Sequence, residues 1–293
     1  ISAPVMPGRL LIAGANGRLG RALRAEGARR GWTVVGVGRK PSAHVDLIAA
    51  SDAEMVKAIA VGAPSVVVNC TGSATGDLAA MRRTNVDLVQ TLLSATERAG
   101  ARLVHIGSAA EIGDPKSPAQ QAEDCRLSPI SDYGRTKAEG STAIIEANGD
   151  AVVARLFNVA GPNPPSSSFL ASLVDKVRTA GDGVVLGNTE MVRDWISIDF
   201  AVEAILAVAS SPQNARLVHV CSGRGIRHGD LAEALARRFG HHLVVTSEGV
   251  PGVRSVVGNP ALLRTITGLS SAMTADDLAE CVLPLGGNTD IGR

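Results

Sequence analysis

Short apolar runs alternate along the chain with longer stretches in which apolar positions recur every three or four residues. The runs are residues 10–13, 33–37, 65–69, 102–106, 151–157 and 216–220. They are short and rich in Val and Ile, like strands buried on both faces of a parallel sheet. The periodic stretches, 21–30, 52–61, 81–99 and 132 to about 148, predict helices. In 81–99, Val86, Val89, Leu92 and Leu93 fall at helical spacing, and Gly100 stops the helix. Alternation on this scale predicts an α/β fold with a doubly wound parallel sheet. Past Gly161 the pattern changes. A cluster of breakers fills 161–168, followed by a helix at 169–179, a turn at Gly181-Asp182-Gly183 and a strand at 184–186. Then come an extended stretch at 191–198 and helices at 199–210, 229–240, 259–267 and 274–282. The last is capped by Thr274, with Asp276 and Asp277 in its first turn.

The first apolar run leads straight into Gly14, Gly17 and Gly20, in G-A-N-G-R-L-G, and a helical stretch follows. Strand, glycine turn and helix form the setting of a dinucleotide-binding fingerprint. Gly14 is expected in a backbone conformation that other residues resist. Gly17 leaves room for a pyrophosphate, and Gly20 lets the helix close on the strand. The helix's positive end faces the phosphates. The spacing is G-x-x-G-x-x-G rather than G-x-G-x-x-G, and the plainer reading is an ordinary tight turn; its place after the first strand favours a cofactor. Asn16, Arg18 and Leu19 share the turn and join the glycines as cofactor-binding candidates. At the end of the second strand, NAD-binding folds place an acid on the ribose hydroxyl. Here stand Gly38, Arg39 and Lys40. Two cations and no acid favour NADP(H), with NAD still open; a solvated basic turn is the alternative. Asp46 and Leu47 are candidates to flank the adenine. The third run ends in Cys70, Thr71 and Gly72, small polar residues at the sheet's ligand edge.

Charge and composition narrow the classes. A net charge of +1 gives no footprint for nucleic acid and no polybasic membrane patch. No apolar run approaches the roughly 20 residues of a membrane span. The start of the chain has no basic segment followed by a long apolar core, so no secretory signal is expected. It lacks an initiating Met, and a trimmed product is expected. Cys70, Cys125, Cys221 and Cys281 are isolated, and His241-His242 reads as a surface pair, so neither a metal site nor disulfides are expected. This suits a reducing cytoplasm.

Tyr133 and Lys137 are four apart, on one face of the expected helix. A nearby ammonium is expected to lower the phenol's pKa from about 10. The pair then exchanges a proton with a carbonyl or an alcohol. Ser108, at the end of an upstream strand, is placed to hydrogen-bond the same oxygen. An exposed Tyr–Lys pair without function is the alternative, but Tyr133 is the chain's single tyrosine.

These residues resemble the extended short-chain dehydrogenase/reductases, the nucleotide-sugar epimerase, dehydratase and reductase group. The resemblance rests on G-A-N-G-R-L-G, N-C-T-G at 69–72, Asn85-Val86, I-G-S-A-A-E-I-G at 106–113 and Y-G-R-T-K at 133–137. It continues in R-L-F-N-V-A-G-P at 155–162 and R-D-W-I-S-I-D at 193–199. It implies a Rossmann domain over 1–161 plus 196–222 and a smaller α/β substrate domain over 162–195 plus 223–293. It implies Ser108, Tyr133 and Lys137 as the catalytic triad, with Tyr133, Lys137 and Asn85 also at the cofactor. Ser108, Ala109, Asn158 and Arg193 would meet the substrate, Arg193 clamping its pyrophosphate. An Arg193–Asp194 ion pair is the alternative. Helices 81–99 and 132–148 resemble those with which such enzymes form homodimers.

Departures from the family choose among reactions. Dehydratases carry an acidic pair after the catalytic hydroxyl, where this chain has Ala109 and Ala110. What remains is hydride exchange at one carbon. Reduction of a nucleotide-linked 4-keto sugar by NADPH is expected; 4-epimerisation with tightly held NAD is the runner-up. A cofactor-binding sensor without catalysis, or a reductase of a non-nucleotide ketone, comes after them. A second phosphate-gripping Arg is not clearly matched, Arg254 being a candidate.

Overall fold

Seven parallel strands form the central layer. In the computed structural model, residues 8–283 are described, apart from 50, 116, 118, 182, 241, 243 and 250–253. The chain start, Asp182 of the expected turn and His241 of the expected pair lie outside the described residues. Strand β1 (Arg9–Ala13) is followed by α1 (Arg18–Arg29), β2 (Thr33–Gly38), β3 (Leu47–Ile48), α2 (Asp52–Gly62) and β4 (Val66–Asn69). Then come α3 (Leu78–Arg82), a π-helical turn (Arg83–Asp87), α4 (Leu88–Ala99), β5 (Arg102–Ser108), α5 (Asp132–Glu146) and β6 (Ala151–Leu156). Strand β7 (Asn158–Ala160), α6 (Phe169–Arg178), β8 (Gly183–Leu186), β9 (Val192–Ser197) and α7 (Ile198–Ser210) follow. The chain closes with β10 (Leu217–Val220), β11 (Gly225–Arg227), α8 (His228–Phe239), β12 (Val244–Ser247), β13 (Ser255–Val256), α9 (Ala261–Thr267) and α10 (Ala275–Val282).

The central sheet has the order β10-β6-β5-β4-β1-β2-β3. Its direction of winding reverses between β1 and β4, which pair with Leu10 opposite Val66. A parallel sheet opens a crevice at that reversal, beyond the strands' C-terminal ends. Side chains alternate across the sheet. Leu10, Ile12, Val66 and Val68 meet α7 in one core, while Leu11, Ala13 and Val67 meet α2 and α4 in another. Each Leu, Ile or Val among them, when fully buried, stabilises the fold by about 1.5–3 kcal/mol.

The remaining strands build a smaller lobe. Strand β9 is flanked by antiparallel β11 and parallel β13, and also pairs with β7. Strands β8 and β12 form a separate parallel pair, and α6, α8 and α10 contribute to a third core. Asp194, fully buried in β9, fastens this lobe to the main sheet. Its carboxylate accepts from Ser222 N and Oγ, Gly223 N and Gly258 N.

The expected helix 81–99 is one helical path with a difference. At residues 83–87 it widens into a π turn, with Asn85 buried. A π turn inserts one residue into the helical repeat, so apolar spacing alone does not reveal it.

Candidate active site

Two cavities open on the C-terminal edge of the central sheet. The first, about 550 Å³, lies at the winding reversal and is lined by Gly14, Asn16, Gly17, Arg39, Cys70 and Thr71 among others. Its floor is backbone. Gly14 has φ +82°, and a Cβ there would stand 3.1 Å from the Cys70 carbonyl; a side chain would be strained and would crowd the turn. Gly20 packs against the Gly14 carbonyl. Gly38, Arg39 and Lys40 also line this cavity. Ala49, Asp52 and Met55 complete that end and were not expected from the sequence; Asp52, the acid there, comes from α2 rather than the end of β2.

Several expected cofactor residues hold the cavity's shape. The Asn16 amide donates to Lys40 O at 3.2 Å and accepts from Ser42 Oγ, fixing the loop after β2. Asn85 brackets the loop after β4, accepting from Ser73 N and donating to Ser73 O, both at 2.9 Å. Gly72 lines the cavity. Asp46 turns away: its carboxylate takes the Arg24 guanidinium and the Gly36 N–H. Leu47 lies in β3 and is not among the cavity's lining residues. Arg18 and Leu19 line a different cavity, of about 360 Å³, between α1 and the small lobe. Arg18 Nη2 is buried there without a hydrogen-bond partner.

The second cavity, about 430 Å³, is made of side chains. Ser108, Ala109, Tyr133, Asn158 and Arg193 all line it. Ser131 caps α5 by accepting from Gly134 N at 3.0 Å, which sets Tyr133 in the helix's first turn. Gly134 lies so close to Ala110 O that a Cβ would collide with it. Only glycine lets α5 press Tyr133 onto the turn that follows Ser108, and the phenol hydrogen-bonds the Ser108 side chain. Asn158 Nδ2 donates to Asp194 O at 2.8 Å. The four donors above occupy the Asp194 carboxylate, while Arg193, next along the strand, faces the cavity with its guanidinium pushed down by burial. Arg254 is exposed.

The wall behind Ser108 is a buried ion pair. Glu111 Oε2 and Arg155 Nε lie 2.9 Å apart, both essentially inaccessible. Glu111 also accepts from Ser108 N at 2.7 Å and Ser141 Oγ at 2.9 Å. The carboxylate nearest the two alanines is thus fully engaged and points inward. The signal for it was an Arg in the middle of an apolar strand run.

Lys137 departs from expectation. It is 3% exposed, and its ammonium donates to Ile106 O at 2.6 Å and lies 3.3 Å from His105 Nε2. Burial brings it down to about 8, against Glu111 and Cys70, which push it up. The Tyr133 phenol is pushed up, not down: burial dominates, Ser108 lowers it and Glu111 raises it. The expected lowering by Lys137 fails because the ammonium is turned to the carbonyl end of β5. Sequence reading also passed over His105, a lone imidazole in an apolar strand.

A further cavity, of about 270 Å³, is lined by Phe169, Met191 and His228 and shares Phe169 with the one that Arg18 and Leu19 line. The two rings stack with centroids 4.0 Å apart. Burial, followed by the Arg193 charge, brings His228 down to about 4.

A model of the NAD-dependent epimerase/dehydratase family matches residues 10–221, from the first strand through the last strand of the central sheet. The chain belongs to this family. Its likeness to the extended short-chain dehydrogenase/reductases therefore holds along that whole sheet. Within curated proteins, the chain is 28% identical over 265 residues to dTDP-6-deoxy-L-talose 4-dehydrogenase (NAD(P)(+)) of Kitasatospora kifunensis, covering 84% of this chain and 83% of that protein. It is 33% identical over 155 residues to methionine adenosyltransferase 2 subunit beta of Bos taurus, covering 50% of this chain and 46% of that one. Of solved structures, RMD from Pseudomonas aeruginosa complexed with NADPH superposes with TM-score 0.81 at 21% identity, over 95% of this chain and 97% of that one. At that identity the likeness is one of fold, the α/β fold with a seven-stranded parallel sheet described above. No group of three or more His, Cys, Asp or Glu side chains suited to a metal occurs among the described residues.

Proposed function

We propose that this protein is an NADPH-dependent reductase of a nucleotide-linked 4-keto sugar. One observation carries the reading: Ser108, Tyr133, Asn158 and Arg193 line a single cavity with no Asp or Glu among its lining residues, and Glu111, the acid that follows Ala109 and Ala110, is locked to Arg155. A cavity with a phenol, a hydroxyl and an anion-binding guanidinium, but no available carboxylate, suits proton donation to a carbonyl and not loss of water. The first-named relative, a 4-dehydrogenase of a dTDP-6-deoxy sugar, supports the substrate class.

The glycine turn fits a dinucleotide. Gly14 and Gly17 leave the turn open beside the cavity. Arg39 and Lys40 favour the 2′-phosphate of NADP(H). A bound nicotinamide supplies the hydride. The residues do the rest. Tyr133, kept protonated by its raised pKa, gives its proton to the carbonyl oxygen. Ser108 orients that oxygen through its hydroxyl. Arg193 holds the diphosphate, and the Phe169–His228 cavity suits the base. In this reading 162–195 plus 223–293 form the substrate domain. The protein works in the cytoplasm as a homodimer through α4 and α5, which pack side by side.

The test is purified protein, NADPH and a dTDP-linked 4-keto-6-deoxyhexose, followed by nicotinamide absorbance. Oxidation of NADPH that Tyr133→Phe abolishes is expected. NAD released only on denaturation, with no NADPH consumed, would move the assignment to a 4-epimerase. A second reading has one observation on its side, the match to half of a methionine adenosyltransferase subunit. It is a cofactor-binding subunit without turnover, and it predicts NADPH binding with no carbonyl reduced.

A further inference from the structure

The polar groups beneath Lys137 form a chain in which geometry dictates the place of each proton. It starts at a backbone N–H. Thr71 N donates to Asn69 Oδ1 at 3.0 Å, and Thr71 Oγ1 donates to the same oxygen at 2.5 Å. A backbone N–H cannot become an acceptor, so the oxygen end of the Asn69 amide is the end facing Thr71. The Nδ2 end then faces His105 Nδ1 at 3.1 Å and donates to it. A ring nitrogen that accepts carries no proton, so a neutral His105 has its proton on Nε2. His105 is fully buried, and burial followed by the Lys137 charge holds it well below the usual imidazole range, which keeps it neutral.

His105 Nε2 lies 3.3 Å from Lys137 Nζ. An N–H directed at an ammonium sets donor against donor; directed at an amine, it donates. The other partner, Ile106 O, accepts from either form. We propose that Asn69 and His105 are positioning residues that present Lys137 with an N–H in place of a lone pair, making it a group that gives up and regains its proton near neutrality instead of a permanent cation. The remaining titratable groups facing Lys137 are Glu111, beyond β5, and Cys70, beyond β4. Glu111, paired with Arg155, favours the ammonium; Cys70, its thiol pushed up to about 12 by burial, is uncharged where Lys137 titrates and would favour it only as a thiolate. The His105 N–H and burial oppose the ammonium. Asn69, His105 and Lys137 come from β4, β5 and α5, so the arrangement belongs to the assembled sheet edge and not to one motif.

The inference rests on the proposed reduction only through the part that the family resemblance gives Lys137 beside Tyr133, and it can be read without substrate. Side-chain nitrogen spectra distinguish the two neutral forms of His105, one of six histidines. The Cε signal of Lys137, one of five lysines, reports its titration and is assigned by Lys137→Arg. The wild-type protein is expected to show the Nε2-protonated ring and a Lys137 midpoint near 8. Asn69→Asp offers His105 Nδ1 a carboxylate oxygen, which moves the proton to Nδ1 and turns a lone pair on Lys137. Its midpoint then rises by about one unit or more. If Asn69→Asp does not fold, His105→Gln, whose amide oxygen can face Lys137, is expected to give the same upward shift. A wild-type His105 protonated on Nδ1, or an unmoved Lys137 midpoint in a folded variant, overturns the proposal. Absence of ketone reduction with these spectra intact would count against the proposed reaction alone.

Discussion

The two cavities at the sheet edge are built on opposite principles. The one at the winding reversal is largely backbone, with Gly14 at φ +82° and the Cys70 carbonyl close behind it. The other draws on β5, α5, β7, β9 and β13, and its lining residues span 108–256. A backbone cavity recognises what parts of the family share. A side-chain cavity can change its chemistry with a few residues: here Ala109 and Ala110 bring no acid to it, and the next residue, Glu111, is turned inward to Arg155.

Tyr133→Phe puts the greatest strain on this contrast. Ketone reduction is expected to fall about 10²–10⁴-fold, with NADPH affinity changed little, as steady-state rates and a binding titration would show; an equal loss in both would mean that the cavities are not separable. Glu111→Gln attacks the wall between sheet and cavity. It leaves the Arg155 charge buried without its partner, so chemical denaturation should show a loss of about 3–5 kcal/mol, whereas a neutral result would mean that Arg155 is balanced by its His219 contact. Arg193→Ala should raise the KM for the nucleotide sugar by about 10–100-fold, the equivalent of a charge-assisted hydrogen bond or two. Its kcat should stay nearly constant, and a fall in kcat instead would place Arg193 at the reacting carbon. The smallest effect belongs to the exposed rim of the first cavity. Arg39→Ala should cut the preference for NADPH over NADH by about tenfold or less, measured as the ratio of kcat/KM values; no change would assign the 2′-phosphate to other groups.

The same contrast governs what the sequence disclosed. The buried parallel strands, such as residues 66–69 and 151–156, announce themselves as apolar runs because both faces are covered. The small lobe is less legible. Strands β7, β11 and β13 have only two or three residues, too few to show a period. The place of Tyr133 in a cavity with Ser108 and Arg193 follows an expectation drawn from the resemblance. The direction of its pKa does not: spacing shows that Tyr133 and Lys137 share a helix face, but not that Lys137 turns to Ile106 O and His105. Likewise Asp46 stands near β2 in sequence, yet its carboxylate is committed to Arg24 and Gly36, an ion pair formed only when α1 folds back on the sheet. Side-chain commitments between elements distant in sequence leave no local trace.

The proposed reduction turns on Tyr133 delivering a proton to a sugar carbonyl, for which a bound nicotinamide would supply the hydride. Reaction of a dTDP-linked 4-keto-6-deoxyhexose with NADPH deuterated at C4 of the nicotinamide, read by NMR of the sugar, tests this directly. Expected is deuterium on C4 of the sugar in a single configuration with the wild-type protein, and about 10²–10⁴-fold slower incorporation with Tyr133→Phe. An undeuterated sugar recovered as ketone, or deuterium transferred equally well without the Tyr133 hydroxyl, would contradict it.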